Sequence, residues 1–501
     1  MYDLVIKNGK IMDGTGSPYY RADIAVKDGK IVKIGKAIEG GARVIDANGL
    51  TVTPGFIDSH SHSDSAVEAY PEMIEKVEQG ITTSIGGQCG GSEAPDGEKY
   101  TTMGAWLDDN KEKPLGSNLA MLIGHGTVRR CVIGPYDRDP SAEELENMKA
   151  LVRDAMEHGA LGMSFGLFYS PGCYAKTEEA IELAKVVGEY HGVLAAHIRD
   201  EGDHVEEAVA EFITIVRESG CRGVVSHHKS CYKRNWGTVK KTLKMIDDAN
   251  EEGLEVYCDV YPYTASNTSL SSMVIPAKYR SQGNDYIVEI LHDAEIREKI
   301  HRESAKIYGE DLDWVMISSC NAFPQYGGRR ISEIAEELGK THYDTAMDII
   351  RDSNVSCNAC YFSMCEEDVE TVMKHPRAMI GTDSGVARNL AFYHPRLRGT
   401  FPRVLGRYVR ERGVTTLPEM IRKITSMPAY VYGFKNKGLI HEGFDADLCI
   451  FNAETILDHA EFADPTKRAE GLSYVIVGGR VAAENAVMNG ECGGKMLLRE
   501  E

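Results

Sequence analysis

The chain has 501 residues, enough for a large core and for more than one domain. At 42% apolar and 26% charged it has the composition of a globular protein, and its net charge of −20 argues against nucleic acid or anionic membrane as partners. No run approaches the roughly 20 apolar residues of a membrane span, MYDLVIKNGK lacks the apolar region of a signal peptide, and twelve scattered cysteines read as reduced thiols; a cytoplasmic protein is expected.

Residues 1–53 alternate apolar and polar positions. LVIKNGKIMDG and DIAVKDGKIVKIG carry Asn-Gly and Asp-Gly, which favour hairpins. From 54 to 424 the pattern changes. Apolar runs end near Ile57, Ile85, Gly124, Ser164, Ala196, Ser226, Val260 and Thr382, and helical segments separate most of them. SAEELENMKALVRDAMEHG opens with Ser141 and Glu144 in capping-box spacing, and HVEEAVAEFITIVRESG and TVKKTLKMIDDANEEG have helical periodicity. Eight strands alternating with helices predict an α/β fold, a (β/α)8 barrel. The link between the seventh and eighth strands is too long for a loop. It predicts an insertion over about 268–356, with helices and an extra apolar run at WVMISSC. GLIHEGFDADLCIFN and LSYVIVGGRVAAEN return to alternation, so 425–501 is expected to complete a small β-sandwich domain built from both termini.

Six metal- or proton-handling side chains stand at the ends of these strands: His60 and His62 in GFIDSHSHSD, Cys89 in TSIGGQCGG, His197 in VLAAHIRDEG, His227 in GVVSHHKS and Asp383 in AMIGTDSG. Each has a plainer explanation alone: a chance HxH, a structural cysteine, a hydrogen-bonded core histidine, an aspartate capping a helix. Together they fall on one rim, the C-terminal face where such barrels place their active sites. Residues i and i+2 of a strand point the same way, so His60 and His62 can converge on one ion. Imidazole and thiolate suit zinc, and a carboxylate adds a ligand or a base. The pattern predicts a metal-dependent hydrolase. His228 stands beside His227 as the bystander, with either open. Cys357 and Cys360 form a single CxxC without a second pair, which favours a structural role.

These residues resemble the amidohydrolase superfamily, and within it the D-aminoacylases, N-acyl-D-amino-acid deacylases. The similarity runs from VIKNG to GFDADLCIFN. It includes GFIDSHSHSD, the cysteine 29 residues past His60, HIRDEG, SHHK, DVYPYTA, GTDSG and HPRLRGTFPRVLGRYVRE. Most amidohydrolases that bridge two metals use a lysine or glutamate from strand 4. Here that strand ends GMSFG and Cys89 is present, as in the D-aminoacylases. The resemblance implies that Cys89, His197 and His227 hold one tight Zn2+, and that His60 and His62, with Asp383, form a second, weaker site. It makes Asp383 the catalytic acid/base. It makes Lys229, Arg396 and a tyrosine of DVYPY, Tyr261 or Tyr263, binders of the substrate carboxylate, and Tyr169 a wall of the side-chain pocket. The implied partner is a small N-acyl-D-amino acid.

The chemistry is consistent with this. An amide needs an activated water, a polarised carbonyl and a protonated leaving amine, and an Arg fork suits an α-carboxylate. Two departures bear on specificity. Tyr279 stands where many relatives carry tryptophan. Relatives acting on D-glutamate derivatives resemble one another in an arginine after DVYPY, where Met273, Val274 and Ile275 stand here, with Lys278 and Arg280 close by. A neutral, hydrophobic D-side chain is expected. The competing readings are a cyclic-amide hydrolase or deaminase on the same barrel, and a non-catalytic binding protein.

Overall fold

The computed structural model describes residues 1–386 and 392–500. The N-terminal strands are β1 (Tyr2–Ile11), β2 (Tyr20–Lys27), β3 (Lys30–Gly35), β4 (Gly41–Asp46) and β5 (Thr51–Pro54). Asp28-Gly29 makes the β2–β3 hairpin with both residues at positive φ, as a two-residue hairpin turn requires. Asn8-Gly9 does not make a turn. It lies inside β1, where the register against β2 shifts between Ile6 and Gly9, so the expected hairpin is a bulge. A Cβ on Gly9 would lie 2.8 Å from the Val52 side chain, so packing against β5 selects the glycine.

Eight parallel strands form the barrel: β6 (Phe56–Asp58), β7 (Ile81–Gly86), β8 (Asn118–Gly124), β9 (Gly162–Gly166), β10 (Val193–His197), β11 (Arg222–Val225) and β12 (Val256–Val260), then, after β13 (Ser266–Ser269), β14 (Val315–Cys320) and β15 (Cys357–Tyr361), the eighth, β16 (Ala378–Ile380). The chain closes the ring beyond β6 and β16: Ser59 N donates to Ile380 O, Asp383 N to His60 O, and Ser61 bridges Ser384 in parallel. The strands are buried on both faces, and parity sorts their side chains. In β8, Ala120 and Leu122 join Ile85, Val193, Ala195, Val224 and Met379 inside the barrel, while Leu119, Met121 and Ile123 pack outward under the helices.

The last strands, β17 (Leu448–Phe451), β18 (Leu472–Val477), β19 (Arg480–Glu484) and β20 (Val487–Met488), join the first five in one nine-stranded sheet, with β17 antiparallel to β5. Leu4, Ile24, Val52, Leu448 and Ile476 share its core. Two features depart from the expected segments. Residues 425–501 are not all in this sheet: Met427, Val431 and Tyr432 plug the barrel interior, and β21 (Met496–Leu497) pairs with β8. The strands β13, β14 and β15 form a separate three-stranded sheet with β15 in the middle; β13 and β15 extend beyond 268–356, and with the helices between them the strands enclose their own core around Leu270, Ile317 and Tyr343.

Candidate metal centre

Strand parity aims His197. It ends β10 on the face of Val193 and Ala195, which point into the barrel, so its ring emerges at the mouth. The other groups lie on turns just past their strands. Cys89, His227 and Asp383 all adopt positive φ, at 52°, 36° and 48°. For residues other than glycine this costs on the order of 1–3 kcal/mol each and persists only where neighbours enforce it. Here His227 N donates to Asp259 Oδ1 at 2.6 Å and Asp383 N to His60 O at 2.8 Å. The Cys89 carbonyl sits over Gly166 at the end of β9, where a Cβ would lie 2.0 Å from it. The strand that carries no lysine thus ends in the glycine that admits the cysteine turn.

Cys89 Sγ lies 3.3 Å from His227 Nε2, 3.4 Å from His60 Nε2 and 3.8 Å from His197 Nδ1. Asp383 Oδ1 lies 3.1 Å from His62 Nε2 and 3.6 Å from His60 Nε2. Two donor sets result, Cys89/His197/His227 and His60/His62/Cys89/Asp383, each with its ligand atoms within 4.8 Å of one another. Cys89 belongs to both. Burial alone would raise its thiol, but His60 and His227 beside it hold it well below the ordinary thiol range, as a thiolate. Burial opposes ionisation of Asp383 too, and the Arg396 guanidinium and His62 reverse it, leaving the carboxyl well below the usual range. One thiolate shared by the two sets, two imidazoles in each and a carboxylate in one are donors that fit zinc.

The outward nitrogens of two of these histidines face carboxylates that sequence reasoning missed. His227 Nδ1 is 3.0 Å from Glu201 Oε1, and His60 Nδ1 is 3.5 Å from Asp259 Oδ2. Such partners fix ring orientation and tautomer at metal sites. Both acids lie inside quoted motifs, HIRDEG and DVYPY, and the rule that ligating histidines lean on carboxylates would have found them.

Glu201 also pairs with Lys229, whose Nζ is 2.7 Å from His227 Nδ1. Arg396 Nη1 donates to Asp383 Oδ2 at 2.6 Å and Nη2 to the Asn267 carbonyl at 3.3 Å. Each of these two cations, expected to bind the substrate carboxylate, is tied here to a carboxylate of the site. Both stand over the Tyr261 ring, at 5.6 and 5.3 Å. Tyr261 lines the cavity and Tyr263 does not. The strand β12 stops at Val260, before either tyrosine, and Tyr263 packs against His394 and under Arg403 instead. Tyr169 stands 4.7 Å from the His197 ring, its hydroxyl accepting from Thr268 at 3.0 Å. His228 is turned away onto the Thr242 hydroxyl, and burial holds it down at about 3; of the pair, His227 lines the cavity and joins the candidate donor set. Cys357 pairs across the insertion sheet with Cys320, and Cys360 lies by the Tyr393 carbonyl; neither reaches the centre.

His62, Cys89, His197, His227, Asp383, Lys229 and Arg396 line one cavity of about 450 Å³. Phe168, Tyr232, Met273, Ile307 and Tyr308 supply its apolar wall. Of the expected apolar triplet, only Met273 reaches it; Val274 and Ile275 are in the insertion core. Among the described residues its only lysine and arginines are Lys229, Arg396 and Arg234, and Arg234 is paired with Asp203.

The amidohydrolase family model matches residues 43–483, and the N-terminal domain of the urease alpha-subunit matches residues 1–55. The chain is 33% identical to the D-aminoacylase of Alcaligenes xylosoxydans xylosoxydans over 515 residues, 99% of this chain and 98% of that protein. It superimposes on the N-acyl-D-glutamate deacylase of Bordetella bronchiseptica, solved with zinc and a phosphonate mimic of the tetrahedral intermediate, with a TM-score of 0.85 at 34% identity over 99% of each chain. A D-aminoacylase structure described in terms of a binuclear metal centre, with one-metal activation and second-metal attenuation, gives 0.87 at 33% over 100% of each.

Proposed function

The chain belongs to the amidohydrolase family, in its D-aminoacylase branch, and on that premise we propose that it hydrolyses the amide bond of N-acyl-D-amino acids, releasing a carboxylate and a free D-amino acid. The observation that carries this reading is Cys89 held between two imidazole clusters with Asp383 alongside. Relatives named for D-aminoacylase and for N-acyl-D-glutamate deacylase activity match it about equally, so identity does not select the side chain. The cavity supports a neutral, hydrophobic one: Met273, Ile307 and Tyr308 line it, and beyond Lys229 and Arg396, which the α-carboxylate would take, the described lining has only Arg234, paired with Asp203.

Cys89, His197 and His227 would hold one tight zinc, and His60 and His62, sharing Cys89 and Asp383, a second and weaker one. Zinc bound there supplies a Lewis acid and a water acidified to near neutral pH. Asp383, ionised at rest, takes the proton of the attacking water and returns it to the departing nitrogen. Arg396, held by Asp383 and over the Tyr261 ring, and Lys229, over the same ring, would supply the positive charge that meets the α-carboxylate. With carboxylate and carbonyl both anchored, only one enantiomer can direct its side chain past Tyr169 into the apolar wall.

The test is acetate release from a panel of N-acetyl-D- and L-amino acids by zinc-loaded protein. N-acetyl-D-leucine or -methionine should lead. Losing one charge-assisted anchor costs about 1.5–3 kcal/mol, so the L-forms, the α-carboxamides and Arg396→Ala should each fall roughly 10- to 150-fold in kcat/KM. Equal rates for both enantiomers would sink the proposal, and preference for N-acetyl-D-glutamate would overturn its side-chain part alone.

A further inference from the structure

A second cavity, of about 610 Å³, lies between the barrel loops and the insertion, on the other side of Tyr169, which lines both. Arg280 forms part of its wall. This arginine is only 7% exposed, yet among the described residues its guanidinium makes no hydrogen bond and no ion pair, and its Nε is buried without a partner. An unpaired buried cation is costly. The contrast with the rest of the chain is sharp: at a net charge of −20, carboxylates are abundant, and buried arginines such as Arg129 and Arg396 have them.

The surroundings suit an anion. Arg130, exposed at the rim, makes one long bond, to the Ser170 carbonyl at 3.4 Å. Ser269, Ser271 and Ser272 present hydroxyls that bond one another at 2.8–3.1 Å, and Gln282 adds an amide. The one carboxylate on the wall, Asp285, is exposed and pairs with neither arginine. A guanidinium fork backed by a second arginine and hydroxyl donors is the chemistry that recognises carboxylate and phosphate.

We infer that this cavity is a second ligand site, separate from the metal centre, which binds a small oxyanion, a carboxylate or a phosphate, on Arg280. Its walls come from Arg130 and Ser170 on the barrel and from Ser269 to Asp285 on the insertion, so the bound anion joins the two. Ser269 directly follows Thr268, the residue bonded to Tyr169 at the substrate cavity.

The test uses the zinc-loaded full chain, with calorimetric titration of inorganic phosphate and, separately, malonate at constant ionic strength. At least one should bind the wild type. Arg280→Met should weaken that binding at least about 10-fold, the loss of one charge-assisted contact, while raising the melting temperature of the anion-free protein because an unpaired buried charge is removed. Arg130→Gln, at the exposed rim, should weaken the same binding without touching the core. The stronger of the two anions identifies the ligand class. Binding equal in the wild type and both variants, as expected of anions held only at the metal centre, overturns the site, as does no binding of either anion to the wild type.

Discussion

Lys76 and Asp58, the latter two residues before His60 in the chain, form an ion pair with no solvent exposure, Nζ 2.9 Å from Oδ2. The same Nζ donates to the Thr382 hydroxyl at 2.8 Å and the Ser384 carbonyl at 2.7 Å, and Asp58 Oδ1 accepts from Thr382 N at 2.7 Å. The pair therefore ties the end of β6, which leads to His60 and His62, to the turn that holds Asp383 at positive φ. Removing one partner of a buried pair costs about 3–5 kcal/mol, whereas replacing both by apolar groups is often near neutral. Lys76→Met should lower the denaturation midpoint by that order, and Lys76→Met with Asp58→Leu should recover much of it. The double variant should still show reduced kcat, since the Asp383 turn has lost its ties. Urea melts and kcat read the two effects separately; full kcat in the double variant would rule out the positioning role.

Cys89 contributes to both donor sets, so its loss should reach further than that of any histidine. Cys89→Ala should fold, lose tight zinc and lose turnover, while His62→Ala should keep the tight ion. Zinc content by atomic absorption after dialysis decides it. A Cys89→Ala protein with full zinc and full turnover would overturn the assignment. Chelator treatment of the wild type should likewise abolish turnover, and added zinc should restore it.

Asp383 touches His60, His62 and Arg396 but is not a member of the Cys89/His197/His227 set. Asp383→Asn should retain that zinc and lose kcat by at least about 10²-fold, the scale of general acid–base catalysis. Near-normal kcat with bound zinc would refute the role.

Glu201 orients His227 and neutralises Lys229. Glu201→Gln keeps the shape and removes the charge. It should weaken zinc affinity about 10- to 100-fold, the usual cost of losing a ligand's outer partner, measured by competition with a chromophoric chelator. Unchanged affinity would show that His227 is positioned by its backbone alone.

The sequence by itself determined the eight-strand count and singled out the six donor side chains that the fold brings to one rim. Period-two burial and helical periodicity are local, and metal donors must follow strand ends to converge; both leave marks readable residue by residue. It also held the clue to Cys89, because the β9 end is GMSFG, although only the packed structure shows Gly166 accepting the Cys89 carbonyl. The tertiary structure decided what depends on the third dimension: Asn8-Gly9 as a bulge, Tyr261 over Tyr263, His227 over His228, and Lys229 and Arg396 tied to Glu201 and Asp383. Parity predicts direction only while a strand continues, and β12 ends before either tyrosine. A charged side chain's partner is whichever opposite charge the fold brings within a few ångströms, often from hundreds of residues away, and Lys76 reaching Ser384 leaves no local trace in the chain.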